Sequence, residues 1–282
     1  MLSIVQDNSV EEFLSEAETL LYKTEAENSL MLGLCESFKM DKQGGKEINL
    51  FRVLFDNQTI GVAVQTPPYN LILSSLKHNE VKQLANYLFD KGFELPGVVG
   101  PAEATTEFSK IWSQMSGNRH ELGMEQGIYK AEKVIHPTTT GSFRSAHPDE
   151  IDIVADWLFQ FSQESLPQRE KFNLTFAKTW ASKAISENTA FFWVVDSKPV
   201  SVAHIGRPTK NGVSVRAVYT PKSFRKNGFG SAVVASLTKK MIQDGFKFCT
   251  LYTDLGNPTS NKIYQDVGYY EVLKSKHFIF IS

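Results

Sequence analysis

The stretch SFRKNGFGSAVV, residues 223–234, combines two basic side chains, two glycines and the start of an apolar run. Arg225 and Lys226 precede Gly228 and Gly230. A strand, a glycine loop and a helix N-terminus together present unpaired backbone N–H groups that favour anions such as phosphate. Basic side chains add charge-assisted contacts. The alternative is a strand–turn–helix corner whose glycines only make the turn.

Two widespread phosphate-binding loops do not fit this stretch. A Walker A loop needs G-x-x-x-x-G-K-[ST], and no Gly-Lys-Ser/Thr sequence follows here. The dinucleotide-binding pattern G-x-G-x-x-G needs glycine where Val233 stands, and no convincing acidic ribose contact follows about 20 residues later. Neither of these two loop types accounts for the stretch.

A second stretch, NPTSNKIYQDVGYYEV at 257–272, places polar side chains on one helical face. Asn257 before Pro258 is a favourable N-cap and first-turn pair. Asn261 and Tyr264 follow at i+4 and i+7, so the three polar side chains can reach one extended ligand. Alternatively, Tyr264 is a core aromatic residue and the asparagines only cap the helix.

The two stretches, in this order and with a strand between them, resemble the GNAT N-acetyltransferase superfamily. R-x-x-G-x-G at 225–230 follows a strand ending in AVYT, and N-x-x-[SA]-x-x-[LI]-Y-x-x-x-G-[FY] begins at Asn257. The resemblance covers residues 141–282, and the whole chain resembles tandem-GNAT proteins with a degenerate first half. It implies acetyl-CoA as co-substrate, without a metal.

The resemblance also implies a role for each residue of the two stretches. The backbone of Val218, Tyr219 and Thr220 would pair with the pantetheine arm, and Tyr264 would protonate the departing thiolate as general acid. A backbone N–H near Tyr219 would stabilise the oxyanion. Arg225 would lie beside the pyrophosphate, with Asn257 and Asn261 nearby. The main-chain N–H groups that would wrap the pyrophosphate belong to Lys226, Asn227, Gly228, Phe229, Gly230 and Ser231.

The group that removes a proton from the amine is not specified by either stretch. Candidates are Glu164, His204 and Asp254, and water is a further possibility. His204 also fits a hydrogen-bonded histidine within a sheet, and Glu164 fits a solvated carboxylate at a helix end. No base is assigned from the sequence.

Helical and strand patterns alternate along the whole chain, which predicts an α/β or α+β fold. With the resemblance, we expect two GNAT-like domains, each a mixed, mostly antiparallel sheet flanked by helices. In the second half we predict a short strand, a turn and a helix within 143–161, and further helices over 168–187 and 229–244. We also predict a hairpin over 190–206, a strand over 212–220, and a strand, a short helix and a strand from Phe246 onward.

The first half repeats parts of the second. FRVLFDNQTIGVA at 51–63 aligns with FFWVVDSKPVSVA at 191–203, and VKQLANYLFDKGF at 81–93 aligns with VASLTKKMIQDGF at 234–246. The spacing grows from 140 residues at Ala63 and Ala203 to 153 at Val81 and Val234. That interval holds the glycine loop, and Trp112 stands where the second half has Tyr264. We expect a domain over 1–135 without the CoA loop and a catalytic domain over 141–282; chance matching of apolar residues is the alternative.

Composition excludes several classes of protein. Thirty Lys and Arg balance 31 Asp and Glu among 282 residues, so no overall field recruits nucleic acid, although basic residues from Arg207 to Lys226 offer a weak patch. No apolar run approaches a membrane span of about 18 residues, and the opening residues do not fit a signal peptide. Cys35 and Cys249 fit free thiols. These features predict a cytoplasmic protein.

The leading interpretation is an acetyl-CoA-dependent N-acetyltransferase that acts on a primary amine of a small molecule or a protein. No His/Cys cluster has metal-ligand spacing, and no G-x-S-x-G pattern indicates a hydrolase. The alternative is a catalytically silent sensor or scaffold that binds CoA. The intact loop together with Tyr264 favours the enzyme.

Overall fold

The computed structural model describes residues 1–40 and 47–281, which form two compact units. Unit 1 contains Met1–Ile128, the segment Asp254–Gly256 and the C-terminal residues from Val272. Unit 2 contains Tyr129–Thr253 and Asn257–Glu271. The domain limits 1–135 and 141–282 remain a prediction, and the last strand of the chain pairs within unit 1. Ser282, the end of the predicted closing strand, lies outside the described residues.

Unit 1 is a mixed sheet with four helices. Its helices are α1 (Val10–Lys23), α2 (Ser29–Met40), α3 (His78–Asp90) and α4 (Ala102–Ser116). Its strands are β1 (Leu2–Asp7), β2 (Asn49–Phe55), β3 (Gln58–Gln65), β4 (Leu71–Leu73), β5 (Gly97–Pro101), the first part of β6 (Arg119–Ala131), and most of the last strand of the chain, β12 (Tyr270–Ile281). The order β1-β2-β3-β4-β5-β12 is antiparallel except for the parallel pair β4–β5.

Helices cover both faces of the unit 1 sheet. Along β2, Phe51 packs with α3 and α4, whereas its neighbour Leu50 packs with α1 and α2. This alternation is the two-residue period of a strand buried on both sides. Trp112 of α4 belongs to the first of these cores, is 3 % exposed and stacks on Phe108 with ring centroids 5.8 Å apart.

Unit 2 has the same kind of sheet. Its elements are β7 (Ser142–Ser145), α5 (Ile151–Ser165), α6 (Leu174–Ser186), β8 (Ala190–Val195), β9 (Lys198–Gly206), β10 (Gly212–Tyr219), α7 (Phe229–Gln243), β11 (Phe248–Asp254) and α8 (Pro258–Asp266). The order β7-β8-β9-β10-β11 is antiparallel except for the parallel pair β10–β11. α5 and α6 pack on Phe192 and Val202, and α7 also packs on β8, β9 and β10.

Most predicted elements of the second half are confirmed, and one helix begins later than expected. The helix predicted over 168–187 is a single 3-10 turn at Gln168–Glu170 followed by α6 from Leu174. Asn173 separates the two because its side-chain oxygen accepts a hydrogen bond from the backbone N–H of Phe176 at 2.9 Å. The side-chain cap therefore sets where α6 starts.

The turns of the hairpins β2–β3 and β8–β9 have the same unusual backbone. Asp56 and Asn57 have φ of 48° and 65°, and Asp196 and Ser197 have φ of 47° and 63°. Two consecutive left-handed residues match the right-handed twist of a hairpin, although glycine is preferred at such positions. Both turns reach this geometry without glycine, at the 140-residue spacing found in the sequence.

The strand pairing of the two hairpins is irregular at the same place. The register shifts between Val53 and Leu54 in the first hairpin and between Trp193 and Val194 in the second. Beyond the hairpins, both units continue with strand, helix, strand and helix. The shared turn and the shared register shift support the repeat seen in the sequence, and that the two units are copies of one unit remains a prediction.

The two units differ most between their fourth strand and the helix that follows it. In unit 1, β4 has three residues and only residues 74–77 connect it to α3. In unit 2, β10 has eight residues and residues 220–228 lead to α7. The glycine loop therefore belongs to the longer connection, which unit 1 lacks.

Candidate functional site

Strand β10 contains a bulge that a buried histidine holds in place. Pairing with β9 is regular at Arg216↔His204 and resumes at Tyr219↔Val202, so β10 carries one extra residue between these pairs. Ala217 in this interval has a left-handed φ of 46°. The Nδ1–H of His204 donates a hydrogen bond to the carbonyl oxygen of Ala217 at 3.1 Å. Bulges re-aim a strand locally and are frequent next to active sites.

Beyond its first residues, β10 separates from its parallel neighbour β11. Pairs between described residues run from Gly212↔Phe248 to Ser214↔Thr250, whereas both strands continue further. The hydroxyls of Ser214 and Thr250 are 3.0 Å apart at the last pair. The polar backbone groups of β10 that face β11 after this point are open to an extended ligand that can supply the missing hydrogen bonds.

The loop after β10 presents the first backbone N–H groups of α7. Gly228 is the N-cap of α7 with φ 77°, and it provides no side-chain hydrogen bond to the helix. Asn227 closes the loop by donating from Nδ2 to the carbonyls of Phe224 and Arg225, at 3.2 Å each. A Cβ on Gly230 would lie 3.3 Å from Oγ1 of Thr220. The two glycines therefore keep the backbone uncovered where a phosphate would approach.

Arg225 is held within the protein by the start of its own loop and by α5. Its Nε donates to the carbonyl of Thr220 at 2.9 Å, and a terminal nitrogen donates to Glu164 at 2.7 Å. Tyr219 donates its hydroxyl to the other carboxylate oxygen of Glu164 at 2.9 Å. The guanidinium also lies 5.6 Å from the centroid of the Tyr219 ring. Arg225 thus ties the loop to α5.

Glu164 stays ionised in this arrangement. Desolvation of its partly exposed side chain acts to raise the pKa, but the hydrogen bonds from Arg225 and Tyr219 outweigh it and lower the pKa of the carboxyl. For Tyr219, desolvation comes first and the bond to Glu164 adds to it, so the pKa of the phenol rises to about 12. A carboxylate with two donors and a lowered pKa is a poor proton acceptor.

Tyr264 lies on α8, half-buried, with its ring 6.2 Å from the ring of Tyr269. Desolvation raises the pKa of the Tyr264 phenol to about 12. The phenol therefore carries its proton at every physiological pH, which is the state that a general acid needs.

The two asparagines of this segment have structural partners. Oδ1 of Asn257 accepts from the backbone N–H of Ser260 at 3.1 Å and caps α8. Oδ1 of Asn261 accepts from the hydroxyl of Thr253 at 3.0 Å. The capping role that the sequence left open is thus present for Asn257, and binding of a ligand by either side chain remains a prediction.

Comparison with known proteins identifies the fold around this site. Residues 200–278 match the family model of the FR47-like proteins. A Drosophila protein of solved structure is 12 % identical with a TM-score of 0.68, and 100 % of this chain and 98 % of that one are covered. A GCN5-related N-acetyltransferase from Sphaerobacter thermophilus is 12 % identical with a TM-score of 0.61, covering 98 % and 94 %. A tandem GNAT protein from the clavulanic acid pathway is 8 % identical with a TM-score of 0.55, covering 99 % and 98 %.

The chain has the fold of GNAT proteins. No curated protein matches the sequence. The solved structures show that the GNAT fold extends over the whole chain, and the FR47-like match lies in the part that holds β10, the glycine loop and Tyr264. The GNAT-like fold that the sequence predicts is therefore confirmed.

The three candidate bases have different surroundings. Glu164 is bonded to Arg225 and Tyr219. His204 is 1 % exposed, and desolvation lowers the pKa of its imidazole to about 4. Asp254 belongs to unit 1 and accepts from the backbone N–H of Gly256 at 2.8 Å. None of these contacts singles out one group as the base.

Sequence reasoning missed two side chains that lie beside His204. Arg216 and Trp180 form a stacked pair in which the guanidinium is 4.3 Å from the ring centroid. An arginine within the apolar strand GVSVRAVYT was the available signal. Arg207 and Arg216 are half-buried, so they do not form the surface patch considered for nucleic acid.

The described ranges 1–40 and 47–281 contain neither a cluster of metal-ligating side chains nor a membrane-spanning helix. Within these ranges, no group of three or more His, Cys, Asp and Glu side chains could hold a metal ion. In the same part of the chain, no helix has the length and apolar character needed to cross a membrane.

Proposed function

We propose that this GNAT protein is an acetyl-CoA-dependent N-acetyltransferase. It transfers the acetyl group directly to a primary amine of a small molecule or a protein, in the cytoplasm. One observation carries the proposal: β10 separates from β11 immediately before a loop that leads, through Gly228, to uncovered N–H groups at the start of α7. An open strand edge beside an anion site fits a long ligand with a pyrophosphate at one end.

CoA would contact these residues mainly through their backbone groups. The open edge at Val218, Tyr219 and Thr220 would pair with the amide-bearing arm, which supplies the acetyl group as a thioester. The pyrophosphate would accept from the main-chain N–H groups of Lys226, Asn227, Gly228, Phe229, Gly230 and Ser231, with Asn257 and Asn261 beside the ligand. We propose that Arg225 assists chiefly by holding the loop through Glu164 and the Thr220 carbonyl.

In the transfer step, the free amine attacks the thioester carbonyl, the C–N bond forms and the C–S bond breaks. A backbone N–H near Tyr219 stabilises the negative charge that develops on the carbonyl oxygen. Tyr264 gives its proton to the departing sulfur and regains one from solvent. The proton lost by the amine passes to solvent, and no side chain is assigned as the base.

We propose that unit 1 does not catalyse transfer. Its fourth strand, β4, has only three residues, and residues 74–77 leave no room for the glycine loop. The counterpart of Tyr264 is Trp112, which packs against Phe89, Phe108 and Phe280. An indole N–H in a hydrophobic core does not serve as a general acid.

Thermal unfolding with acetyl-CoA, ATP or NADH tests the cofactor. At 100 times its dissociation constant, acetyl-CoA should stabilise the protein by about 2.7 kcal/mol, whereas ATP and NADH should not. Gly228→Trp should abolish the effect. Gly117→Trp is the matched control, because Gly117 has φ 75° against 77° for Gly228. A Cβ added at Gly117 would have no neighbouring atom within 4 Å.

The outcomes separate the proposal from its alternative. Stabilisation by acetyl-CoA that survives in Gly117→Trp but not in Gly228→Trp, followed by thiol release with an amine, supports the enzyme. Stabilisation without thiol release for any amine indicates a sensor or scaffold that binds CoA. Absence of stabilisation contradicts CoA binding and returns the loop to a simple turn.

A further inference from the structure

Two arginines of unit 2 differ from the other partly buried arginines of the chain. Arg52 pairs with Asp7 at 2.7 Å, and Arg144 pairs with Glu150 at 2.7 Å. Arg207 and Arg216 are also half-buried, but their described neighbours include no carboxylate within 4 Å. The arrangement therefore places two positive charges away from water without a negative partner, which is costly.

The backbone of β9 and β10 directs Arg216 to its place. Arg216 lies opposite His204, and Gly206 lies two residues further along β9 on the same face. A Cβ on Gly206 would be 3.0 Å from Cδ of Arg216 and 3.1 Å from one of its terminal nitrogens. Glycine at this position leaves space for the guanidinium, whose other side stacks on Trp180 at 4.3 Å.

Arg207 follows Gly206 directly and has a left-handed φ of 50°, which is uncommon for arginine. Its guanidinium lies 5.8 Å from the ring centroid of Tyr252. Its Nε is buried and lacks a hydrogen-bond partner among the described residues. A strained backbone and an unsatisfied donor are features that functional sites retain and that structural sites avoid.

The electrostatics of the pair are consistent with a missing anion. Desolvation lowers the pKa of both guanidiniums, and desolvation together with the charge of Arg207 lowers the pKa of Arg216 to about 10. A bound carboxylate would raise the pKa of both guanidiniums, because it supplies the opposite charge and accepts hydrogen bonds from their N–H groups.

His204 adds an acceptor beside the two arginines. Its Nδ1–H donates to Ala217, so Nε2 of the neutral ring holds a lone pair, and this buried atom has no partner among the described residues. Donors for a carboxylate and an acceptor for an amine N–H thus lie next to the bulge of β10. This bulge is the stretch that leads to the proposed oxyanion contact near Tyr219.

We propose that Arg207 and Arg216 bind the carboxylate of the acceptor, so that the acetylated amine belongs to an amino acid. This inference rests on the proposed function and narrows its substrate class. Trp180 also contacts Phe172 and Phe176, at 5.7 and 6.4 Å between ring centroids, so an apolar wall continues from the arginines. Amino acids with apolar side chains suit such a wall.

The first experiment does not depend on turnover. Arg216→Gln and Arg207→Gln should leave the melting temperature of the free protein unchanged or raise it, because they remove charges that no carboxylate balances. Arg144→Gln, which breaks the paired Arg144–Glu150 bridge, should lower it. A loss in Arg216→Gln as large as in Arg144→Gln would show an internal partner and overturn the proposal.

The second experiment measures acceptor preference by thiol release from acetyl-CoA. Each L-amino acid is compared with its carboxamide, which keeps the amine and removes the negative charge. For the best acceptor, kcat/KM should exceed that of the amide at least tenfold, and Arg216→Gln should remove this preference. Stabilisation by acetyl-CoA should be retained in Arg216→Gln, and the exposed control Arg169→Gln should behave like the wild type.

Failure of this inference differs from failure of the proposed function. If amides or amines without a carboxylate are acetylated as well as the acids, the carboxylate site is wrong and the acetyltransferase stands. If Arg216→Gln slows acids and amides equally, the arginine only supports the fold and the proposal is again overturned. If no amine is acetylated although acetyl-CoA binds, both proposals fall.

Discussion

The guanidinium of Arg225 lies 2.7 Å from a carboxylate oxygen of Glu164, 61 residues earlier in the chain. The same arginine donates to the carbonyl of Thr220. One side chain therefore connects α5, the end of β10 and the glycine loop. The shape of the loop is therefore set in part by an internal ion pair.

We expect Glu164→Gln and Arg225→Gln to weaken acetyl-CoA binding by similar factors. Both changes break the pair that positions the loop, and a partly exposed ion pair contributes on the order of 0.5–1 kcal/mol, or about two- to fivefold in the dissociation constant. Calorimetric titration of the two variants and of the double variant measures this. The double variant should be little worse than either single one.

Tighter binding of acetyl-CoA by Glu164→Gln would give Arg225 a different role. If the glutamate only holds the arginine back from the pyrophosphate, Glu164→Gln should bind acetyl-CoA more tightly while Arg225→Gln binds it more weakly. Such a result would contradict the positioning role and restore Arg225 as a direct phosphate contact.

Tyr264→Phe should lower kcat by about 100-fold and leave the dissociation constant of acetyl-CoA unchanged, because only the proton donor is removed. Since desolvation raises the pKa of this phenol to about 12, kcat of the wild type should show no loss from Tyr264 ionisation below about pH 10. Steady-state kinetics across pH checks both points. Tyr270→Phe, at an exposed tyrosine, is the control, and equal rates in the two variants would remove Tyr264 from catalysis.

Local patterns in the sequence were enough to locate the glycine loop, the hairpins and α7. Gly228 has a left-handed φ, which glycine adopts readily, and the same turn occurs at Asp56 and at Asp196 in matching stretches of sequence. Neighbouring residues therefore determine both the start of α7 and the two turns. The packing of Leu50 and Phe51 in different cores likewise depends only on the two-residue period of a strand.

Partners distant in sequence could not be predicted. The bond between Arg225 and Glu164 joins two elements, and an arginine in a loop is equally compatible with water, phosphate or a carboxylate. Likewise, β12 pairs with β5 of unit 1 through Phe278↔Val98, whereas its apolar pattern specifies only that it is a strand. The choice among strand partners is made by the packing of the whole unit.

His204 should make stability depend on pH in the acidic range. Its pKa falls from an ordinary 6.5 to about 4 in the folded protein, mainly because it is desolvated, so the unfolded chain binds more protons between these values. The contribution is complete above about pH 6.5 and is lost as pH falls toward 4, and it amounts to about 3 kcal/mol.

Chemical denaturation of His204→Asn from pH 7.5 to pH 4 measures this contribution. Asparagine keeps an N–H donor near the Ala217 carbonyl but does not titrate, so the variant should lose less stability on acidification than the wild type. The exposed residue His136 supplies the control variant His136→Asn, which should follow the wild type. Parallel curves for wild type and His204→Asn would show that another group governs the acid transition.

The two hairpin turns allow a comparison of backbone strain within one chain. Ser197 has φ 63° and Asn57 has φ 65°, and both lack the conformational freedom of glycine. A left-handed residue costs roughly 1–2 kcal/mol for most side chains, but asparagine adopts this region more readily than serine. Ser197→Gly should therefore raise the free energy of unfolding by about 1 kcal/mol, and Asn57→Gly by clearly less. Urea denaturation of both variants measures the difference. If Asn57→Gly raised the free energy of unfolding as much as Ser197→Gly or more, the side chains would stabilise the turns by contacts rather than strain them.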